Sequence, residues 1–277
     1  MPLHLESILS SKDENDKKRE SEVLTAILQK DIYVNDLVFA TKDGAKVILT
    51  KNLINELNNK IIGKIVFTLS SNKEEKTLEV LDVDITLSND NPVELCFDEL
   101  LDGSSDANEY YEVYTPYDIH FQIETVNRYT VEDESLLDKT KSVFLSAFPF
   151  KLDIYNNIDE YNEKTGLKDI NVEECLKDID IKDLSSYTIG FSEEFAAPGY
   201  AIKDCKDICS FVIGKVISFE DVNVKFGDIL CPFVIIKIST AFGIIPIAAS
   251  RKCFDLTNLS VDKIIVMLAD IKADFIN

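Results

Sequence analysis

Four apolar, β-branched runs close the chain, and they limit its fold more than any other feature. They cover residues 210–219, 233–242, 244–250 and 263–276. Valine, isoleucine and phenylalanine fit a pleated, half-buried surface. Asn223, Gly227, Pro232 and Gly243 fall between the runs and supply turn chemistry. In the last run Asp270, Lys272 and Asp274 alternate with Ala269, Ile271, Ala273 and Phe275. A period of two marks a strand, and its polar members predict a wet face at the far end.

Gly214 lies inside the first run, where a strand glycine marks a bulge or a sharp bend. Four long strands with such a bend resemble an OB-type barrel, in fold only, since that scaffold hosts many functions. Charge marks the same border. Residues 200–277 hold nine basic and nine acidic residues, so the whole net charge of −21 lies before them. The expected fold class is therefore α+β, mainly antiparallel β, in two domains. An acidic α+β domain spans 1–153, a helical bridge and linker spans 154–199, and a small OB-like β-barrel spans 200–277.

In the front part, Val23, Leu24, Ile27 and Leu28 share one stripe of a helix expected over 14–30. Asp43-Gly44 between apolar runs signals a hairpin. Further helices are expected over 52–59, 94–102, 157–165 and 172–177, with Gly166 closing the third and Asn171 capping the fourth. Strands are expected over 61–69, 78–87, 118–127 and 143–152, the last placed at an edge or ended by Pro149. Asp82 and Asp84 take the opposite parity to Leu81, Val83 and Ile85, which gives one dry face and one acidic face. The acidic face reads as solvated. Ile62-Gly63-Lys64-Ile65 echoes Ile213-Gly214-Lys215-Val216, which raises the question whether residues 45–90 duplicate the C-terminal unit.

Chemistry is sparse. An acidic front half repels phosphate, so electrostatic binding to nucleic acid or to an anionic membrane is not expected. No apolar run approaches the ~20 residues of a membrane helix. The first residues lack a basic and then apolar leader, so a cytoplasmic location with reduced thiols is expected. Of Cys96, Cys175, Cys205, Cys209, Cys231 and Cys253, only Cys205 and Cys209 are close in sequence. Structural zinc favours two close pairs, so buried thiols are the better reading. Asp82-x-Asp84 and Asp178-x-Asp180 lack the glycine and closing glutamate of a calcium loop. No metal and no cofactor are expected, and no phosphate-binding glycine loop occurs.

His4 and His120 are the histidines. His120 is the general-base candidate, with Glu124 further along the same strand face as its orienting carboxylate. Tyr110, Tyr111, Tyr114 and Tyr117 are candidate contacts for a ligand or partner. The expected function is a soluble cytoplasmic, non-catalytic binding or adaptor module with a protein partner. One alternative is a hydrolase-type enzyme using carboxylates and His120 in an interdomain cleft. The other is an acidic decoy that imitates a nucleic acid.

Overall fold

A computed structural model of the chain describes residues 22–23, 25–27, 37–40, 46–72, 77–102, 104, 109–131, 135–166, 190–201 and 208–276. His4, the Asp43-Gly44 turn, the helix over 172–177, Asp178-x-Asp180, Cys175 and Cys205 lie outside them.

The described residues form a mostly β structure. Its strands are β1 (Leu37–Ala40), β2 (Lys46–Asn55), β3 (Lys60–Asn72), β4 (Thr77–Leu87), β5 (Pro92–Leu100), β6 (Glu109–Tyr114) and β7 (His120–Thr125). They continue with β8 (Thr140–Tyr155), β9 (Phe195–Pro198), β10 (Ser210–Phe226), β11 (Ile229–Thr240), β12 (Gly243–Ala249) and β13 (Ile264–Phe275). One mixed sheet joins them all. The helix α1 (Ile158–Lys164) follows β8, where the sequence places one. The Asn157 side chain accepts from the Glu160 amide, and Gly166 beyond the helix takes a φ of 71°. No helix among the described residues is long and apolar enough to cross a membrane.

Two expected helices are strands. In β5 the side chains of Val93, Leu95 and Phe97 are buried while Glu94 and Asp98 are exposed, a period of two that the acidic residues disguise. In 52–59, Leu53 is buried within β2 and Ile54 is exposed. The chain then turns, with Asn55 Oδ1 accepting from the Leu57 amide and Asn59 at a φ of 57°. Spacings of one and four apolar residues fit a strand that ends in a turn as well as a helix. Pro149 does not end its strand either. It lies inside β8, where the register against β13 shifts, which is the bulge position that tolerates proline.

Hydrogen bonding closes the strands into two five-membered circuits. β5, β6 and β7 form an antiparallel meander, and β8 pairs antiparallel with β5. β7 pairs parallel with β13, which pairs antiparallel with β8. The second circuit repeats this connectivity. β10, β11 and β12 form the meander, β13 pairs antiparallel with β10, and β12 pairs parallel with β8. Each circuit uses the other's fourth strand as its fifth, and both contain the β8–β13 pair. The repeat in connectivity therefore relates residues 92–155 to 210–275. Residues 45–90 supply β2, β3 and β4, a meander joined to β10 at Val224 and Asn55.

This pairing crosses the border expected near residue 200. β13 runs beside β8 from Ile264 opposite Tyr155 to Phe275 opposite Val143. The last four strands do not close on themselves, because the ladder between β12 and β13 passes through β8. Apolar runs report that a strand is buried, and they carry no record of which distant strand lies next to it.

The main core fills both circuits, with Phe97, Phe121, Leu145, Ile236, Ile271 and Phe275 among its members. A second core joins outward residues of β10 and β11, such as Val222, Val224 and Phe233, to Phe67, Val83 and Ile85 of β3 and β4. Val23 and Ile27, both in helical conformation, pack into it as their spacing predicts. Leu24 and Leu28 lie outside the described residues.

β3 and β4 approach closely at Gly63, where a Cβ would collide with the Thr86 carbonyl oxygen. Gly63→Ala is expected to lower stability by roughly 2 kcal/mol, as overpacking does. Urea denaturation checks this, and an unchanged midpoint would contradict the close approach.

Candidate functional site

The polar face of β13 leads to the most heavily charged interior among the described residues. Lys272 stands opposite Ser146 of β8 and beside Glu124 of β7. It is 1% exposed. Its ammonium lies 2.6 Å from Asp84 Oδ1 and 2.5 Å from Glu124 Oε2. Asp82 shares the face of β4 with Asp84, is 6% exposed, and is hydrogen-bonded to it. A second pair follows along β13, where Lys64 of β3 meets Asp274 at 2.6 Å. The parallel contact that closes the first circuit falls on Lys272 and Glu124. The ion cluster therefore sits in the seam of that circuit. Two further bonds extend the seam: the Val126 amide donates to the Ala273 carbonyl, and the Phe275 amide donates to Asn127 Oδ1.

Burial decides the protonation here. It pushes Asp82 up to about 8, helped by Asp84 and Glu124 and opposed by Lys272. At neutral pH Asp82 is thus a neutral acid that donates to Asp84. Burial alone would depress Lys272, but Asp84 and Glu124 outweigh it and hold the ammonium above its ordinary range. Burial also raises Asp274, with Lys64 offsetting part of the effect.

Asp82, Asp84 and Glu124 each bring one oxygen to within 4.8 Å of the others. That spacing suits a cation, and Lys272 already supplies one at hydrogen-bond distance from two of the three. A metal ion would have to displace an ammonium held by two carboxylates. In this arrangement the group acts as an internal ion lock between β4, β7 and β13.

The expected wet faces are therefore dry at Asp82, Asp84, Lys272 and Asp274, while Asp270 is half-buried. Parity placed Asp82 and Asp84 together on one side of β4, and Asp270, Lys272 and Asp274 on one side of β13. The two faces meet each other instead of water. Lys272 was missed as a functional residue for that reason. A lone lysine amid an apolar strand, with acids at matched parity on two other strands, was the available signal.

His120 and Glu124 are not brought together. His120 sits at the start of β7, half-exposed, with Nε2 3.1 Å from Asp118 Oδ1 and Nδ1 3.8 Å from Glu112 Oε1. Glu124 lies four residues on, about 13 Å along an extended strand, inside the Lys272 cluster. The carboxylates beside the histidine are those of Asp118 and Glu112. The four tyrosines also separate. Tyr111 is buried in the core, donates to Glu109 Oε2, and is raised by burial and by that bond. Tyr117 is 85% exposed in the turn after β6. Tyr110 and Tyr114 are half-buried on the outward face of β6. Tyr114 lies between Cys96 and His120, directly across from each. The neighbouring Cys96 thiol raises its hydroxyl first of all, and its ring stacks on His120 at 5.3 Å.

Comparison with protein-family models, with curated proteins and with solved structures yields no match. The reading of function rests on the chain itself.

Sequence reasoning also passed over two cavities. One of about 360 Å³ is bordered by Asn52, Lys64, Thr86, Asn89, Asp90 and Asp274, at the outer end of the seam. Another of about 270 Å³ lies between Tyr155, Tyr161, Lys164 and Phe211. Their residues come from strands and a helix far apart in sequence.

Proposed function

We propose that the protein is a non-catalytic binding or adaptor module that works in the cytoplasm through a protein partner. One observation carries this reading: matching faces of the two circuits are treated differently. Outward residues of β10 and β11 pack against β3 and β4 in the second core. On the matching face of β5 and β6, Glu94, Asp98 and Glu99 are exposed, and Cys96, Tyr110, Glu112 and Tyr114 are half-buried. Among the described residues this face is less covered than its counterpart, and such a face is a place for a second molecule.

The scaffold reading goes with it. We take each circuit as OB-like, with five strands and one parallel contact, and with its fifth strand lent by the other half. The two units expected from sequence then become interlocked halves. The hydrolase alternative draws less support, since Glu124 is buried against Lys272 and lies far from His120. The decoy alternative needs carboxylates on a ridge, to which the buried Asp82, Asp84 and Glu124 contribute nothing.

The test is capture of a protein by the immobilised full chain from its native lysate, followed by reconstitution with the purified captured protein. Co-elution of the pair at fixed stoichiometry is the expected result. Turnover of an ester, phosphate or glycoside substrate, lost in a folded Glu124→Gln variant, would replace this reading with the hydrolase.

A further inference from the structure

We propose that the outward face of β5 and β6 binds an extended basic segment of a partner protein, carrying arginine or lysine at alternate positions. The inference rests on the binding-module reading and adds the chemistry of the partner.

Two rows of side chains run across this face. Cys96, Tyr114 and His120 form one, and Glu99, Glu112 and Gln122 form the next. Glu99 and Glu112 stand directly opposite each other, an arrangement that repels unless a cation lies between or above them. β5, β6 and β7 contain no lysine or arginine. Tyr200 donates its hydroxyl to Glu112, which orients that carboxylate without neutralising it.

Aromatic rings flank the acids. Tyr110, Glu112 and Tyr114 alternate along the outward side of β6. They recur about every 6.8 Å, the repeat of same-face side chains in an extended peptide. Cations at alternate positions of such a peptide would meet a carboxylate or the face of a tyrosine at each step. An apolar partner fits poorly, because it would bury the opposed Glu99 and Glu112 carboxylates, of which Glu112 has the Tyr200 hydroxyl and the His120 ring beside it. A phosphate-bearing partner is repelled. The net charge of −21 steers a basic segment toward the molecule, and the rows decide where it settles.

The experiment titrates the full chain with a synthetic ten-residue peptide of alternating arginine and glycine, at about physiological ionic strength. It compares the wild type, Glu99→Gln/Glu112→Gln, and a charge-matched control, Glu56→Gln/Glu79→Gln, at exposed sites outside the face. The face variant is expected to bind about tenfold more weakly and the control less than about twofold. NMR shifts on adding peptide are expected at Tyr110, Glu112 and Tyr114. The urea midpoint of the face variant should equal or exceed that of the wild type, since a repulsion is removed. Equal weakening in both variants, or shifts that map elsewhere, would overturn the proposal. So would a captured partner whose binding ignores Glu99→Gln/Glu112→Gln, and that result would leave the module reading standing. Turnover in place of any partner removes the module reading itself.

Discussion

Lys272→Met is expected to cost roughly 3–5 kcal/mol of folding stability, the loss typical of removing one partner from a buried ion group. The variant keeps the volume of the side chain and takes away the charge. It leaves Asp84 and Glu124 facing each other in the seam between β4, β7 and β13, with Asp82 beside them. Adding Glu124→Gln should recover part of the loss, because one of the stranded charges goes with it. Urea denaturation of the single and double variants measures both effects. A loss below about 1 kcal/mol would mean that water reaches the lysine.

Asp82→Asn should act in the opposite direction and depend on pH. The folded state holds the Asp82 proton up to about 8, against 3.8 for the ordinary carboxyl. Below 3.8 both states carry the proton, and the contribution of Asp82 to stability is complete. Between 3.8 and about 8 the unfolded chain gives up the proton and the fold does not, so stability falls as pH rises. Above that window the loss is constant. Asparagine has no proton to lose and still donates to Asp84. The variant should therefore match the wild type near pH 4 and exceed it by roughly 3–5 kcal/mol near pH 8.5. Asp274 is raised too and adds a slope of the same sign, so Asp274→Asn is the control that separates the two. A constant difference between wild type and Asp82→Asn from acid to alkaline pH would show that Asp82 ionises as an exposed carboxyl.

The sequence was most informative where a local pattern settles the matter. The alternation in the last run located β13, and Gly166 after the run 157–165 located the end of α1. Parity correctly separated Asp82 and Asp84 from Val83 and Ile85. It failed on what each face meets, because a polar face on a strand reads as wet whether water or another polar face lies against it. The Lys272 cluster joins three strands through residues 84, 124 and 272, and no local window contains it. Glu124 was singled out for its place beside His120 on one strand face, and its actual partner lies 148 positions away. The charge border near residue 200 carries no record of strand pairing, and β8 and β13 pair across it along their length.

That pairing is the centre of this account, and the isolated segment 200–277 tests it most directly. The segment keeps β10 to β13 and lacks β8, the strand that joins β12 to β13 and closes their circuit. Expressed alone it should show poorly dispersed amide resonances and no cooperative urea transition, and it should gain both when refolded with residues 1–199. A sharp, cooperative transition in the segment by itself would contradict the shared β8–β13 pair and restore a self-contained C-terminal unit.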